Sequence, residues 1–99
     1  MTISEINGVQ IETNPPQSKL DMVGVKNWEV WNSPVAKFTH TFTKGQETVY
    51  ILEGKFLFTV EGYEETIELG VGDMANFPID STVTFDILEP LKAHILIEN

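Results

Sequence analysis

His40, Glu47 and Gly54 punctuate the stretch "HTFTKGQETVYILEG" (40–54) at spacings that could serve chemistry. An imidazole and a carboxylate held together can trade a proton as general acid and base, or offer two ligands to a divalent transition metal. Alternation sets the surroundings of the first. Phe38, His40 and Phe42 fall on one face of "KFTHTFT", and Thr39, Thr41 and Thr43 on the other. If Glu47 shares a face with Val49 and Ile51, its carboxylate lies on an apolar surface and needs a partner, because burying a lone charge is costly. His40 is the candidate. The competing reading is structural: the two side chains bond only to each other or to water. Two donors are also fewer than the three protein ligands that catalytic zinc sites keep. A third would have to come from Asn76, His94 or a loop.

Composition narrows the classes of partner. The chain has 99 residues, a one-domain length that buries roughly two-thirds of its unfolded surface. Fifteen acidic residues face six lysines and no arginine, for a net charge of −9. That charge repels phosphate backbones and excludes nucleic acid as a partner. Without arginine there is no bidentate fork for an anionic ligand. There is no cysteine, so disulfides and thiolate chemistry are excluded. No apolar stretch approaches the roughly 20 residues of a membrane helix. The opening "MTISEINGVQ" lacks a basic start and an apolar run, so no signal peptide is expected and a cytoplasmic location is.

The elements that must position His40 and Glu47 are strands. Residues 1–24 read as a lead-in carrying one strand at "VQIETN", stopped by Pro15 and Pro16. Left open, that strand invites pairing with a second copy of the chain, so a homodimer is expected. Residues 17–31 predict a turn of helix at most, because Gly24 and the β-branched residues weaken the helical pattern of Leu20, Val23 and Trp28. From residue 25 to 99 the reading is a single barrel domain. "ETVYILEG" is apolar on both faces, as a central strand is. Gly54-Lys55 reads as a short turn, the segments flanking Glu61-Gly62 as a hairpin, "DMANFP" as a strand ended by Pro78, and Glu89-Pro90 as a corner before the strand "KAHILIE". In that last strand His94 keeps step with Lys92, out of phase with Ala93, Ile95 and Ile97, which places it outward. Short strands with turn signals every 8–12 residues predict an all-β antiparallel sandwich or small barrel.

The motifs go further than the physics. Glu47, six residues and Gly54 resemble the second half of the first cupin motif, which places His40 at its first His and Phe42 at its second. Gly72 and Pro78 resemble the second cupin motif, with Asp80 at its Gly and Val83 at its His. Four stretches, "WEVW" (28–31), "ETVYILEG" (47–54), "GDMANFP" (72–78) and "LEPLKAH" (88–94), are similar in order to small single-domain cupins of the ureidoglycine-aminohydrolase type. The resemblance implies a cupin-type antiparallel jelly-roll β-barrel, often dimeric, with a ligand pocket inside. Metal-binding proteins of that type use His, Glu and Gln ligands, so the resemblance allows a divalent transition metal at His40 and Glu47. Of the four ligand positions in the two motifs only His40 and Glu47 remain here.

Three functions are compatible with these residues. The first is a binding module with a degenerate metal site, holding a small organic metabolite among Trp31, Phe38, Phe42, Val49, Ile51, Asn76, Val83 and Phe85, with His40 and Glu47 as polar anchors. The second is a small cupin enzyme, with or without a metal, acting on a small polar metabolite such as a nitrogen-containing one, with His40 and Glu47 as its catalytic residues. The third is a structural or partner-binding dimer. Bulky apolar residues at positions 42 and 83 favour the first.

Overall fold

Two long strands carry the architecture. In a computed structural model, which describes residues 2–99, the chain runs β1 (Thr2–Ile6), β2 (Val9–Thr13), α1 (Gln17–Val23), a 3₁₀ turn (Val25–Asn27), β3 (Glu29–Ser33), β4 (Ala36–Thr41), β5 (Gln46–Val60), β6 (Thr66–Gly70), β7 (Asp73–Phe77) and β8 (Thr82–Glu98). Met1, the start of the 1–24 segment, lies outside the described residues. All pairings are antiparallel, as the alternation predicts. β5 and β8 pair from Gln46↔Glu98 to Val60↔Val83. The first half of β5 joins β7, and the second half of β8 joins β3, giving one layer in the order β1-β2-β7-β5-β8-β3. The second half of β5 joins β6 and the first half of β8 joins β4, giving a facing layer, β6-β5-β8-β4. This is an all-β jelly roll in which both layers share the same two strands.

The sharing requires a bend. The β5–β8 register slips between Ile51 and Phe56, at Gly54 opposite Pro90. Gly54 has φ +87°, and a Cβ there would lie 2.3 Å from the Pro90 carbonyl oxygen. Pro90 lacks an N–H to donate and falls where β8 has no partner on β5. The turn expected at 54–55 and the corner expected at 89–90 are therefore two sides of one bulge inside continuous strands. A bulge bends a ladder without ending it.

Alternation fills the space between the layers. Phe58, Phe77, Ile51, Ile87, Val9 and Val83 are fully buried there. The outward face of the smaller layer carries a threonine row across four strands: Thr39 bonds Thr84 at 3.0 Å, Thr84 pairs with Thr59, and Thr59 bonds Thr66 at 2.9 Å. Such cross-strand pairs stabilise a sheet by a few tenths of a kcal/mol to ~1 kcal/mol each.

The N-terminal segment departs from expectation in two ways. β1 forms where only a polar lead-in is expected, because Asn7 and Gly8 both take positive φ (54° and 86°) and reverse the chain in a tight hairpin. β2 consequently pairs with β1 on one side and β7 on the other, so "VQIETN" is not an open edge. Its neighbour α1 has seven residues, more than the single turn expected. Gly24, at φ +71°, closes it by donating its N–H to the Leu20 and Asp21 carbonyls. No residue of α1 is buried. The Lys19 ammonium ties it to the sheet by pairing with the Glu12 carboxylate, which is only 4% exposed. No helix among the described residues is long and apolar enough to cross a membrane.

Two glycines separate the effect of crowding from that of conformation. Gly62 also has positive φ, +94°, but nothing lies within 4 Å of a Cβ built there. Gly62→Ala is expected to cost only the left-handed penalty, about 1–2 kcal/mol. Gly54→Ala adds a backbone clash and is expected to cost roughly 3 kcal/mol or more. Urea midpoints of the two variants check this; equal losses would mean that the bend tolerates a side chain.

Candidate functional site

A cavity of about 200 Å³ lies between the two layers, lined by residues on both sides of the bend. Volume at the liquid-water share of roughly 30 Å³ per molecule makes this room for about seven water-sized groups. β3 contributes Trp31, and β4 contributes Phe38 and His40. Phe42 follows β4, while β5 supplies Glu47, Val49 and Phe56. β8 supplies Phe85, Leu91, Ala93 and Ile95. The lining is apolar except for His40 and Glu47.

Each polar group is placed by strand parity. His40 lies opposite Val83 in the β4–β8 ladder, between the outward Thr39 and Thr41. Its ring meets Phe42 edge-on, with centroids 4.7 Å apart. Glu47 sits at the start of β5, between Phe77 of β7 and Ile97 of β8, on the face it shares with Val49. It is half-buried. Desolvation raises its carboxyl above the ordinary value of 4.5, and the charge of His40 pulls the other way more weakly. No hydrogen bond or ion pair joins the two side chains, so the expected direct partnership is electrostatic, acting across the cavity.

The other candidates divide by face and depth. Trp31, Phe38, Phe42, Val49 and Phe85 line the cavity with His40 and Glu47. Ile51 and Val83, expected beside them, belong to the packed core beneath, at 1% and 0% exposure. Asn76 is on the opposite surface of its sheet. It alternates with the buried Ala75 and Phe77, and its amide donates to Thr48 Oγ1 at 2.7 Å. His94 also faces outward, as its phase predicts, with Nδ1 3.3 Å from the Trp28 carbonyl oxygen. Ile97, in phase with Ala93 and Ile95, is nonetheless 44% exposed, because it lies near the strand's end. Phe56, Leu91, Ala93 and Ile95 are cavity residues not among those expected. Ala93 and Ile95 follow from the alternation that faces them inward, and Phe56 and Leu91 from parity around the bulge, readable only once the bulge is known.

The donor set does not fit a metal. Phe42, at the second motif His, stacks on Phe77 with centroids 5.2 Å apart and ring planes 10° apart. Val83, at the fourth ligand position, is fully buried. Asn76 and His94 are on the wrong face to complete the set. Among the described residues no three His, Cys, Asp or Glu side chains come together.

Residues 20–94 match the family model described as the EutQ-like cupin domain. The chain belongs to the EutQ-like cupin family. Among solved structures this cupin is similar to a DUF861 family protein from Thermotoga maritima, at 32% identity and a TM-score of 0.84, over 91% of this chain and 99% of that one. It shares its fold with the Drosophila melanogaster CENP-C cupin domain, at 13% identity and a TM-score of 0.55, over 98% of this chain and 74% of that one. It also shares it with Lactobacillus farciminis oxalate decarboxylase, at 18% identity and a TM-score of 0.53, over 95% of this chain and 30% of that one. None of the curated proteins matches the chain.

A raised carboxyl holds its proton more tightly in the folded chain than in the unfolded one. The stability that Glu47 contributes is therefore fully present below pH 4.5 and is lost as pH rises through its folded pKa. Glu47→Gln removes this titration. The variant is expected to gain on the wild type as pH climbs from 4.5, with the gain levelling off once Glu47 is ionised. Urea midpoints across that window read the effect; a gain that instead grows toward acid would show a carboxylate stabilised by its surroundings.

Proposed function

We propose that this cupin is a cytoplasmic binding module that holds a small organic metabolite between its two sheets. The supporting observation is the cavity of about 200 Å³ whose only polar side chains are His40 and Glu47. Ligand sites commonly combine apolar walls with a few placed polar groups that fix orientation. In this reading Trp31, Phe38, Phe42, Val49 and Phe85 supply contact area, and His40 and Glu47 orient the ligand. The degenerate ligand set agrees with a site that binds without a metal.

One observation favours a second reading, a small enzyme acting on a polar, nitrogen-containing metabolite, as the resemblance to the ureidoglycine-aminohydrolase type implies. Glu47 has a raised proton affinity and His40 faces the same cavity, the environment in which a carboxyl works as a general acid or base. Homodimerisation is part of either proposal. Since β2 is covered, strand pairing between copies has β1, β3, β4 and β6 as edges among the described residues.

Small molecules released by denaturing the protein after tag-free purification test the binding reading. Mass spectrometry is expected to find one organic compound near stoichiometry in the wild type and to lose it in Ala93→Leu. That variant fills the cavity at a cost of about 1–3 kcal/mol. A wild type that releases nothing, and whose cavity resonances ignore a library of small organic fragments, contradicts the proposal.

A further inference from the structure

The lining of the cavity also bears on the charge of what it holds. Trp31, Phe38, Phe42, Phe56 and Phe85 surround it with aromatic rings, and Glu47 is its one carboxylate. The rings form one connected wall: Phe85 lies 5.5 Å from Phe38 and 5.6 Å from Phe56 between centroids, and Trp31 meets Phe38 edge-on at 6.3 Å. None of the six lysines lines the cavity, and the chain has no arginine. His40 is the only other ionisable group facing it.

These facts discriminate among ligand classes. An anion would meet the Glu47 carboxylate, with no lysine or arginine in the lining and only His40, exposed at the rim, to receive its charge. A neutral apolar ligand would displace water from Glu47 and leave its carboxyl covered without a partner, at the cost of burying the charge or of taking up a proton. A cation answers both difficulties. Its charge pairs with Glu47, and its hydrated surface is exchanged for aromatic side chains, whose ring faces attract positive charge. The chain's net charge of −9 draws cations toward it at low ionic strength.

We propose that the cavity selects small organic cations, amines or quaternary ammonium compounds, held between the aromatic wall and the carboxylate of Glu47. A cation preference presupposes that the cavity takes a ligand at all, and a matched set of probes separates the two. Choline carries a quaternary nitrogen; dimethylbutanol is the same shape with carbon in place of that nitrogen; dimethylbutanoate carries the opposite charge. Each is titrated into the wild-type chain while calorimetry and the NMR shifts of Trp31 and Ile95 are followed. Choline is expected to bind about tenfold more tightly than dimethylbutanol, the scale of a desolvated cation–π contact with an added ion pair, and dimethylbutanoate most weakly. In Glu47→Gln the choline advantage should shrink to roughly threefold, the part due to the rings. Equal affinities for choline and dimethylbutanol, or tighter binding of the carboxylate, overturn the cation preference and leave a ligand-binding cavity standing. No response at the cavity resonances to any of the three probes removes both.

Discussion

The close approach of Gly54 to Pro90 is the constraint on which the roll depends. β5 and β8 can serve two facing layers only if they bend together at one place. The bend is possible because position 54 has no side chain and position 90 has no N–H to leave unpaired. Everything upstream of the bend on β5 belongs to the six-stranded layer, and everything downstream to the four-stranded one. A ladder without the bulge would be a single open sheet, with Val49 and Phe56, seven residues apart, on opposite faces. The bulge brings both to the same cavity.

The interior has a second organising element. All six phenylalanines of the chain join in one network of ring contacts, with Phe85 touching Phe38, Phe42, Phe56 and Phe77. Each such pair adds about 0.5–1.5 kcal/mol beyond the area it buries. The network is dense below, where Phe58 and Phe77 are sealed, and open above, where Phe38 and Phe85 are only partly covered. The same side chains thus act as core at one end and as cavity wall at the other. Phe42 marks the exchange: where the family motif places a metal-binding imidazole, this chain extends its aromatic stack to Phe77.

Much of this was legible from period-two alternation, and the failures share a cause. Alternation places Phe38 and His40 on the cavity's face, Thr39 and Thr41 on the other, and His94 away from Ala93, and the structure agrees on the faces, though His40 is exposed at the cavity's rim rather than enclosed. It specifies a face but not a depth. Ile51 and Val83 therefore share the cavity's face yet lie beneath it. Asn76 is a different case: its type suggests a ligand, but Ala75 and Phe77 on either side fix it outward. Gly54 and Pro90 are breakers by type, and a breaker alone does not tell a reversal from a bend. That distinction needs the partner strand, which a single sequence does not display. β1 has too little apolar character to announce itself, although Asn7-Gly8 is a hairpin signal. The resemblance to cupins supplied the jelly roll where local patterns alone left a sandwich or small barrel.

The ladder that builds the roll has two unequal ends. Pairing Val60 with Val83 closes a short loop, whereas pairing Gln46 with Glu98 closes one roughly twice as long. By chain entropy alone the far end costs only about 0.6 kcal/mol more. The near end sets Phe58 opposite Phe85 in the aromatic floor, whereas Glu47 lies one pair in from the far end of the ladder. Fraying of that end therefore reaches the anionic side of the chamber before the aromatic floor.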